Sequence, residues 1–513
     1  VNFWVLGNAD SIMINKVVVL GAGTAGLMTA LALQRKIPQL QIQVIRSPDI
    51  GVIGVGESTT PQFVQFLFEY LGIKRKLFYE MAKPTWKVGI HFIWGPREKF
   101  EFTFDFQFDA QFQGLSRPNG FYCEDDCDNL TINAALMSHA KAFAAQPNGG
   151  GPMIDGSVAF HLFNPDVVKT FEKVAVDRGI TFVDAKVSGA ILGEQGVKAI
   201  VLEDGRQVEA DFFVDASGFR SELLGKALQT PFVSYDKTLL TDRAIVGAWD
   251  RTDDFIYPYT VAETMDAGWC WLIDHEHAIN RGYVYSSRFI SDEQAREEFQ
   301  RKNPKIKIWD HVIKFRSGRY RQSWVGNVFA IGNACGFVEP LEATALMVAS
   351  SQIQTMVTML IDSQLDPKPR MKALYNTFFA ELWDNIRDFL AIHYRFNTRL
   401  QNDFWTTCCN EVDVSPIQPL IEFYQENGPS RLARHLLNSS TTAKTQFGIE
   451  GFLTVLIGQK VPYRAQPVTS ESEQAILRRH CEENRARANA GLTVAEALKY
   501  VKHPQWTWFG DNV

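Results

Sequence analysis

The feature that most constrains this chain is a glycine turn set between a strand and a helix near its N-terminus. Lys16-Val17-Val18-Val19-Leu20 reads as a buried strand, Gly21-Ala22-Gly23-Thr24-Ala25-Gly26 follows at once, and Leu27 to Gln34 continues as a helical run. In this G-x-G-x-x-G pattern each glycine has its own task. Gly21 makes the tight turn, Gly23 lets a pyrophosphate approach the backbone, and Gly26 lets the helix pack closely on the strand. The first amides of the helix, around Thr24 and Ala25, then face the phosphates. The uncharged run from Val17 to Leu33 is shorter than the ~20 apolar residues of a membrane span, and its glycines make a nucleotide-binding turn the better reading.

The motif alone leaves FAD and NADP open. The second strand, Gln41 to Ile45, ends at Arg46, where an acidic residue normally holds the ribose hydroxyls. An arginine there suits a 2′-phosphate; alternatively, Arg46 faces solvent while Ser47 or the backbone meets the ribose. Later segments choose the flavin. Asp211 to Gly218 is a strand running into a small-residue turn, and Val328 to Gly336 is a strand ending in a glycine turn before a long helix, about Ala343 to Asp362. A helix N-terminus brought toward the flavin pyrimidine ring suits the negative charge of the reduced ring. Only one G-x-G-x-x-G occurs, so a separate flavin reductase is expected to supply the reduced cofactor.

Bulk properties narrow the class further. A formal charge of -6 leaves no basic footprint for nucleic acid, and 46% hydrophobic with 21% charged residues is ordinary for a soluble globular protein. The 37 Phe and 12 Trp suit an aromatic-lined pocket, though a large core uses many of them. Seven cysteines, at 123, 127, 270, 335, 408, 409 and 481, lack the paired spacing of a zinc site. They read as free thiols of a cytoplasmic protein, with no metal expected.

Four segments resemble the flavin-dependent halogenases of the tryptophan/indole type, over about Lys16 to the 460s. Ile53-Gly54-Val55-Gly56-Glu57-Ser58-Thr59-Thr60-Pro61 is similar to the family's loop beside the flavin, and Thr85-Trp86-Lys87 matches the place of its essential lysine. Gly268-Trp269-Cys270-Trp271-Leu272-Ile273 carries the G-W-x-W-x-I signature. Gly336-Phe337-Val338-Glu339-Pro340-Leu341-Glu342-Ala343-Thr344 resembles the stretch with the catalytic glutamate and halide site.

The resemblance implies that reduced FAD, dioxygen and a halide generate hypohalous acid, which passes through a tunnel to Lys87 for electrophilic halogenation of an indole-like aromatic. Lys87 acts there either as an ammonium that polarises the acid or as an amine that becomes a haloamine, and burial would poise it between the two. Lys83 could share a helical face with it but does not match the motif. Glu342 is implied as the carboxylate that stabilises the cationic intermediate and accepts its proton; otherwise it is a helix-terminus carboxylate. Glu339 is expected to be structural. The halide is implied at the backbone amides of Thr344 and Ala345, and further FAD contacts at Ser47, Val187, Asn333 and Leu346. Trp269 and Trp271 either keep substrate from the flavin or pack a core. An FAD-dependent aromatic monooxygenase is the enzymatic alternative, and a non-enzymatic flavin-binding protein the third.

The chain departs from the family at several points. Asp274 stands where the signature usually closes with proline, and Ala343-Thr344-Ala345 replaces Ser-Thr-Gly. Loss of glycine at 345 is expected to restrict the halide site. Phe447 to Leu453 lacks the tyrosines that clamp a free amino acid's carboxylate, whereas Phe102, Phe104, Phe106 and Phe108 alternate with strand period and place aromatics on one face. That face could stack an indole with Phe452 or simply pack the core. An indole-like substrate without an amino-acid group is therefore favoured, with bromide as the more easily oxidised halide. The fold class expected is α/β: a Rossmann-like FAD module of the glutathione-reductase type, interleaved with a mainly helical substrate module. Residues 1–14 are expected to be a disordered leader. The FAD module would span 15–360, with substrate-binding insertions at about 101–154 and 231–324, and the helical module 361–513.

Overall fold

The computed structural model describes residues 13–48, 56–123, 128–146, 150–154, 158–253, 255–437, 447–465, 469–508 and 511. Most of the expected leader, Ile53 to Val55 of the flavin loop, and Cys127 lie outside the described residues. Ile14, counted with the leader, belongs to the fold: it is buried, and its amide donates to the Leu365 carbonyl.

The glycine turn sits at the centre of a six-stranded sheet. Lys16–Leu20 pairs in parallel with Gln41–Arg46 on one side and Phe212–Asp215 on the other. Thr181–Asp184 and Val328–Ala330 extend the parallel run outward, and Trp324–Val325 closes one edge antiparallel. Strands buried on both faces read as continuous apolar runs, which is why Val17 to Leu20 shows no polar alternation. Helix Thr24–Lys36 covers one face beside helix Asn164–Asp177. This is the doubly wound α/β architecture the glycine motif implies.

A second sheet, which the sequence reading did not specify, has eight strands drawn from 89–103 and 243–314. Its centre is the pair Gly268–Asp274 and Ala278–Tyr285. Trp271 lies opposite Gly282, and a Cβ on Gly282 would stand 2.0 Å from the indole ring, so glycine there makes room for the tryptophan. A small three-stranded sheet, with Ala159–Phe163 between Gly56–Ser58 and Thr85–Lys87, bridges toward the first sheet. Helix Pro369–Arg395 ties these parts together. Tyr375 packs on Trp324 and Phe329 of the parallel sheet, while Phe389 to Tyr394 is buried on every side.

The aromatic alternation from Phe102 to Phe108 does not make one strand. The strand Phe100–Thr103 ends before it. Asp105 accepts from the hydroxyls of Thr103 and Thr131 and the amide of Asn133, and the Glu450 carboxylate gathers the amides of Gln107, Phe108 and Asp109. Those acceptors draw the backbone out of the sheet, so the four phenylalanines do not share a face. No helix of the described residues is long and apolar enough to cross a membrane.

Candidate active site

The turn at Gly21–Gly26 has the shape its sequence demands. Gly21 has φ +114°, and a Cβ there would lie 2.3 Å from the Ala216 carbonyl. A Cβ on Gly26 would lie 2.1 Å from the Gly21 carbonyl. Gly23 differs: nothing stands within 4 Å of its Cβ position, so the space beside it is free for a ligand. The amides of Thr24, Ala25 and Gly26 meet no acceptor among the described residues, the unsatisfied set that anions occupy. The Thr24 hydroxyl instead donates to Asn164 Oδ1. Gly332, at φ +59°, presses against Ala25 and brings Asn333 to the same edge. Leu346 is buried in the first turn of the later helix, and Val187 is half-buried at the start of Val187–Gly193. Ser47 Oγ is buried with no partner among the described residues, so a polar ligand group is what it lacks. Arg46 is engaged by Glu172 and Asp184 and lies over the Phe182 ring, which removes the NADP reading's arginine.

Lys87 ends a strand and is fully buried, with 0% exposure. Its Nζ donates to Ser58 Oγ at 2.7 Å and to the Thr59 carbonyl at 3.3 Å, and stands 5.4 Å from the centre of the Phe104 ring. Ser58 and His161 both meet the Thr260 hydroxyl, so a hydrogen-bonded chain runs from the amine into the second sheet. Burial pushes the Lys87 ammonium down to about 7, and Glu342 partly offsets the drop. His161 is held well below the usual imidazole range by burial and by Lys87, so it stays neutral. Lys83 is not in this group; it occupies a left-handed turn at φ +47° on the rim of a surface cleft.

Glu342 closes the 3₁₀ turn Pro340–Glu342 and is buried. Its Oε1 lies 2.7 Å from Nε2 of His393, a residue the sequence reading missed. One histidine in a long amphipathic helix carries no motif, and only the packing brings it to the glutamate. Glu339 lies nearby, fully buried against the Thr241 hydroxyl. Ala343 adopts φ +55°, and helix Ala345–Asp362 begins two residues later. The amides of Thr344, Ala345, Leu346 and Met347 find no acceptor among the described residues, which suits a halide. The feared restriction at 345 does not arise: Ala345 is helical, where alanine is favoured, and the left-handed position is 343.

The expected aromatic residues separate. Phe104 reaches Lys87, Phe106 is 69% exposed, and Phe452 is buried against Phe389, whose ring also contacts His393. Trp269 and Trp271 are both buried in the second sheet. Asp274, in place of the usual proline, is buried in an ion pair with Arg251 and accepts the Tyr257 amide, while its carbonyl takes the Thr85 hydroxyl.

Residues 16–474 match the tryptophan halogenase family. The chain belongs to that family. It is 31% identical over 463 residues to the tryptophan 7-halogenase KtzQ of Kutzneria sp. (strain 744), covering 82% of this chain and 84% of that one. Among solved structures it resembles MibH, a lanthipeptide tryptophan 5-halogenase, at 38% identity and a TM-score of 0.88, over 97% of this chain and 95% of that one. It also resembles BrvH, a flavin-dependent halogenase from Brevundimonas sp. BAL3, at 26% identity and a TM-score of 0.79, over 95% and 98%. The protein is thus an FADH2-dependent halogenase of indole-type aromatics that uses FAD and a halide.

The open space at Gly23, the free helix amides and the unpartnered Ser47 hydroxyl fit FAD. Two glycine variants separate packing from binding. Gly26→Ala forces a backbone clash and costs roughly 3 kcal/mol or more of stability. Gly23→Ala, at φ −75°, stays within about 1 kcal/mol but weakens FAD binding at least about tenfold. Denaturant melts and FAD titrations of the two proteins check this.

Lys87 gives a second prediction. Its folded value of about 7 lies below the free-lysine value of 10.5. The unfolded chain therefore binds the extra proton between those values, and stability rises with pH across that window. Lys87→Met removes the penalty, so its stability gain over wild type is largest at and below pH ~7 and fades toward pH ~10.5. Urea melts of both proteins at neutral and alkaline pH read the difference.

Proposed function

We propose that this halogenase acts through Lys87 and Glu342 on an indole ring that is not presented as a free amino acid. The observation that carries the reading is the burial of Lys87 within electrostatic reach of a buried Glu342. FAD would be held by Gly21, Gly23, Thr24, Ala25, Gly26, Ser47, Val187, Asn333 and Leu346, and the halide by the amides of Thr344 and Ala345. Reduced FAD, when bound, supplies with dioxygen the oxidising power that converts halide to hypohalous acid; a separate flavin reductase is the proposed source of its electrons. Residues 15–360 would then form the cofactor module with its insertions, and 361–513 the helical substrate module.

An ammonium has three hydrogens. Ser58 and Thr59 take two of those on Lys87, which leaves one to polarise the oxygen of hypohalous acid. As the ring's π electrons take the halogen, the departing hydroxide leaves as water with that proton. A lysine brought down to about 7 gives up a proton far more readily than one in water. The ring proton then passes to Glu342, and its bonding electrons restore aromaticity. Lys87→Ala and Glu342→Gln are each expected to lose on the order of 10²–10⁴-fold in halogenation, while FAD binding and oxidation of reduced flavin by dioxygen persist. Product formation by mass spectrometry, beside stopped-flow flavin oxidation, measures both.

Substrate choice rests on Phe447 to Leu453. Glu450, the charged side chain of that segment, is committed to three backbone amides, and Phe447 stacks on Phe389 at 3.8 Å. The segment thus offers no polar clamp for an α-carboxylate or ammonium. The similarity to MibH favours a second reading of the same site, a tryptophan side chain within a peptide. Competition among indole, a tryptophan-containing peptide and free tryptophan, in bromide and in chloride, decides. Free tryptophan should be the poorest substrate and bromide the faster halide; strong preference for free tryptophan would place a clamp elsewhere and overturn the reading.

A further inference from the structure

We propose that His393 is the positioning residue of the carboxylate base, forming with Glu342 a dyad in which the imidazole fixes one carboxylate oxygen and takes up the positive charge left when the arene loses its proton. The proposal rests on the reading of Glu342 as the base. His393 has 0% exposure and sits in a box made by the rings of Phe92, Trp94 and Phe389. The Trp94 indole donates to the His393 carbonyl, which fixes the backbone of the helix at that point. Its two ring nitrogens face two different partners: Nδ1 lies 3.1 Å from the Phe389 carbonyl, and Nε2 lies 2.7 Å from Glu342 Oε1.

A carbonyl oxygen only accepts, so Nδ1 must carry a hydrogen. The short Nε2–Oε1 contact then needs one further proton, because an imidazole lone pair facing a carboxylate would repel it. The pair therefore shares one proton between Nε2 and Oε1 and carries no net charge. Oε2 accepts nothing from the described residues and is the oxygen left for the substrate. When the ring C–H bond breaks, its electron pair returns to the ring and its proton goes to Oε2. The dyad, neutral as a pair before this step, then carries one positive charge, with Glu342 protonated at Oε2 and the shared proton held by the His393 imidazole. This is the logic of a base oriented and charge-compensated by a third group, with the aromatic box shielding the imidazole from water.

The experiment compares wild type with His393→Phe, which fits the aromatic box, and His393→Gln, which can still donate to Oε1 but cannot hold the charge. Each is assayed with substrate carrying protium or deuterium at the halogenated ring carbon, with melting temperature and FAD affinity as controls. Wild type should show an isotope effect near 1, since loss of the ring proton is fast. Both variants should bind FAD normally, lose roughly tenfold or more in kcat with little change in KM, and show an isotope effect of about 2 or above as proton loss becomes limiting. Histidine ring ¹⁵N spectra of the flavin-free protein should show Nδ1 of His393 protonated and Nε2 in a strong hydrogen bond to Glu342, a bond that is lost in Glu342→Gln. Lower kcat with an isotope effect still near 1 would make His393 merely structural and overturn the proposal, as would wild-type rates in His393→Gln or an Nδ1 without a proton in wild type. If His393→Phe fails to fold, His393→Gln and the spectra decide alone. A fully active Glu342→Gln would instead sink the base assignment itself.

Discussion

Holding a lysine in the interior is the constraint around which the site is arranged. Desolvation penalises the ammonium, and the structure keeps it useful by supplying two hydrogen-bond acceptors and a nearby carboxylate. That geometry depends on the small bridging sheet. Lys87 pairs with Ala159, and Ser58 pairs with His161 two residues along the same central strand. Side chains two apart on a strand share a face, so Lys87, Ala159, His161 and Ser58 stand together. The small alanine leaves the amine a clear path across the middle strand to Ser58. A bulky residue at 159 would occupy that path and separate the amine from both acceptors.

The fold was legible where local rules decide it. Continuous apolar residues set the first strand, the three glycines set the turn after it, and Gln41–Arg46 and Val328–Ala330 followed from the same logic. Lys87 and Glu342 were legible only through the family pattern, because an isolated lysine or glutamate has no period or spacing to mark it. His393 was not legible at all: its contact with Glu342 comes from helix Pro369–Arg395 crossing behind the 3₁₀ turn, between residues 51 apart in sequence. The Phe102–Phe108 alternation misled for a related reason. Period-2 patterning describes side chains, while the backbone there is governed by acceptors from elsewhere, Glu450 above all, whose bonds to three successive amides no local pattern announces.

The two helix starts proposed to hold anions are kept open in the same way. Neither Gly23 nor Thr344 caps its helix with a side chain. By contrast, Ser291, Ser470 and Thr493 close their helices with full capping boxes. A side-chain cap is worth about 1 kcal/mol, so leaving it out at these two helices forgoes stability and keeps amides available to a ligand. Helices such as Asn164–Asp177 and Gly448–Gly458 also begin without a side-chain cap, so it is the free amides beside Gly23 and Thr344, and not the missing cap alone, that mark the two proposed sites.

Ala343 shows how closely the second of these ends is coupled to the proposed base, Glu342. A left-handed alanine costs roughly 1–2 kcal/mol, and glycine would remove most of that cost. Yet the strained residue separates two elements that need different orientations. Before it, the 3₁₀ turn directs Glu342 to His393; after it, the helix directs the amides from Thr344 onward to open space. Were 343 to continue as right-handed helix, the turn and the helix would merge. Carbonyls of Pro340, Leu341 and Glu342 would then reach the amides of Thr344, Ala345 and Leu346 in the ordinary i to i−4 pattern. The amides proposed for the halide would be satisfied internally, and Glu342 would rotate onto the helix surface, away from the imidazole. One backbone kink thus keeps the Glu342 carboxylate and the free amides from Thr344 onward adjacent in sequence but independent in direction, and the methyl group at 343 narrows the alternatives that a glycine would admit.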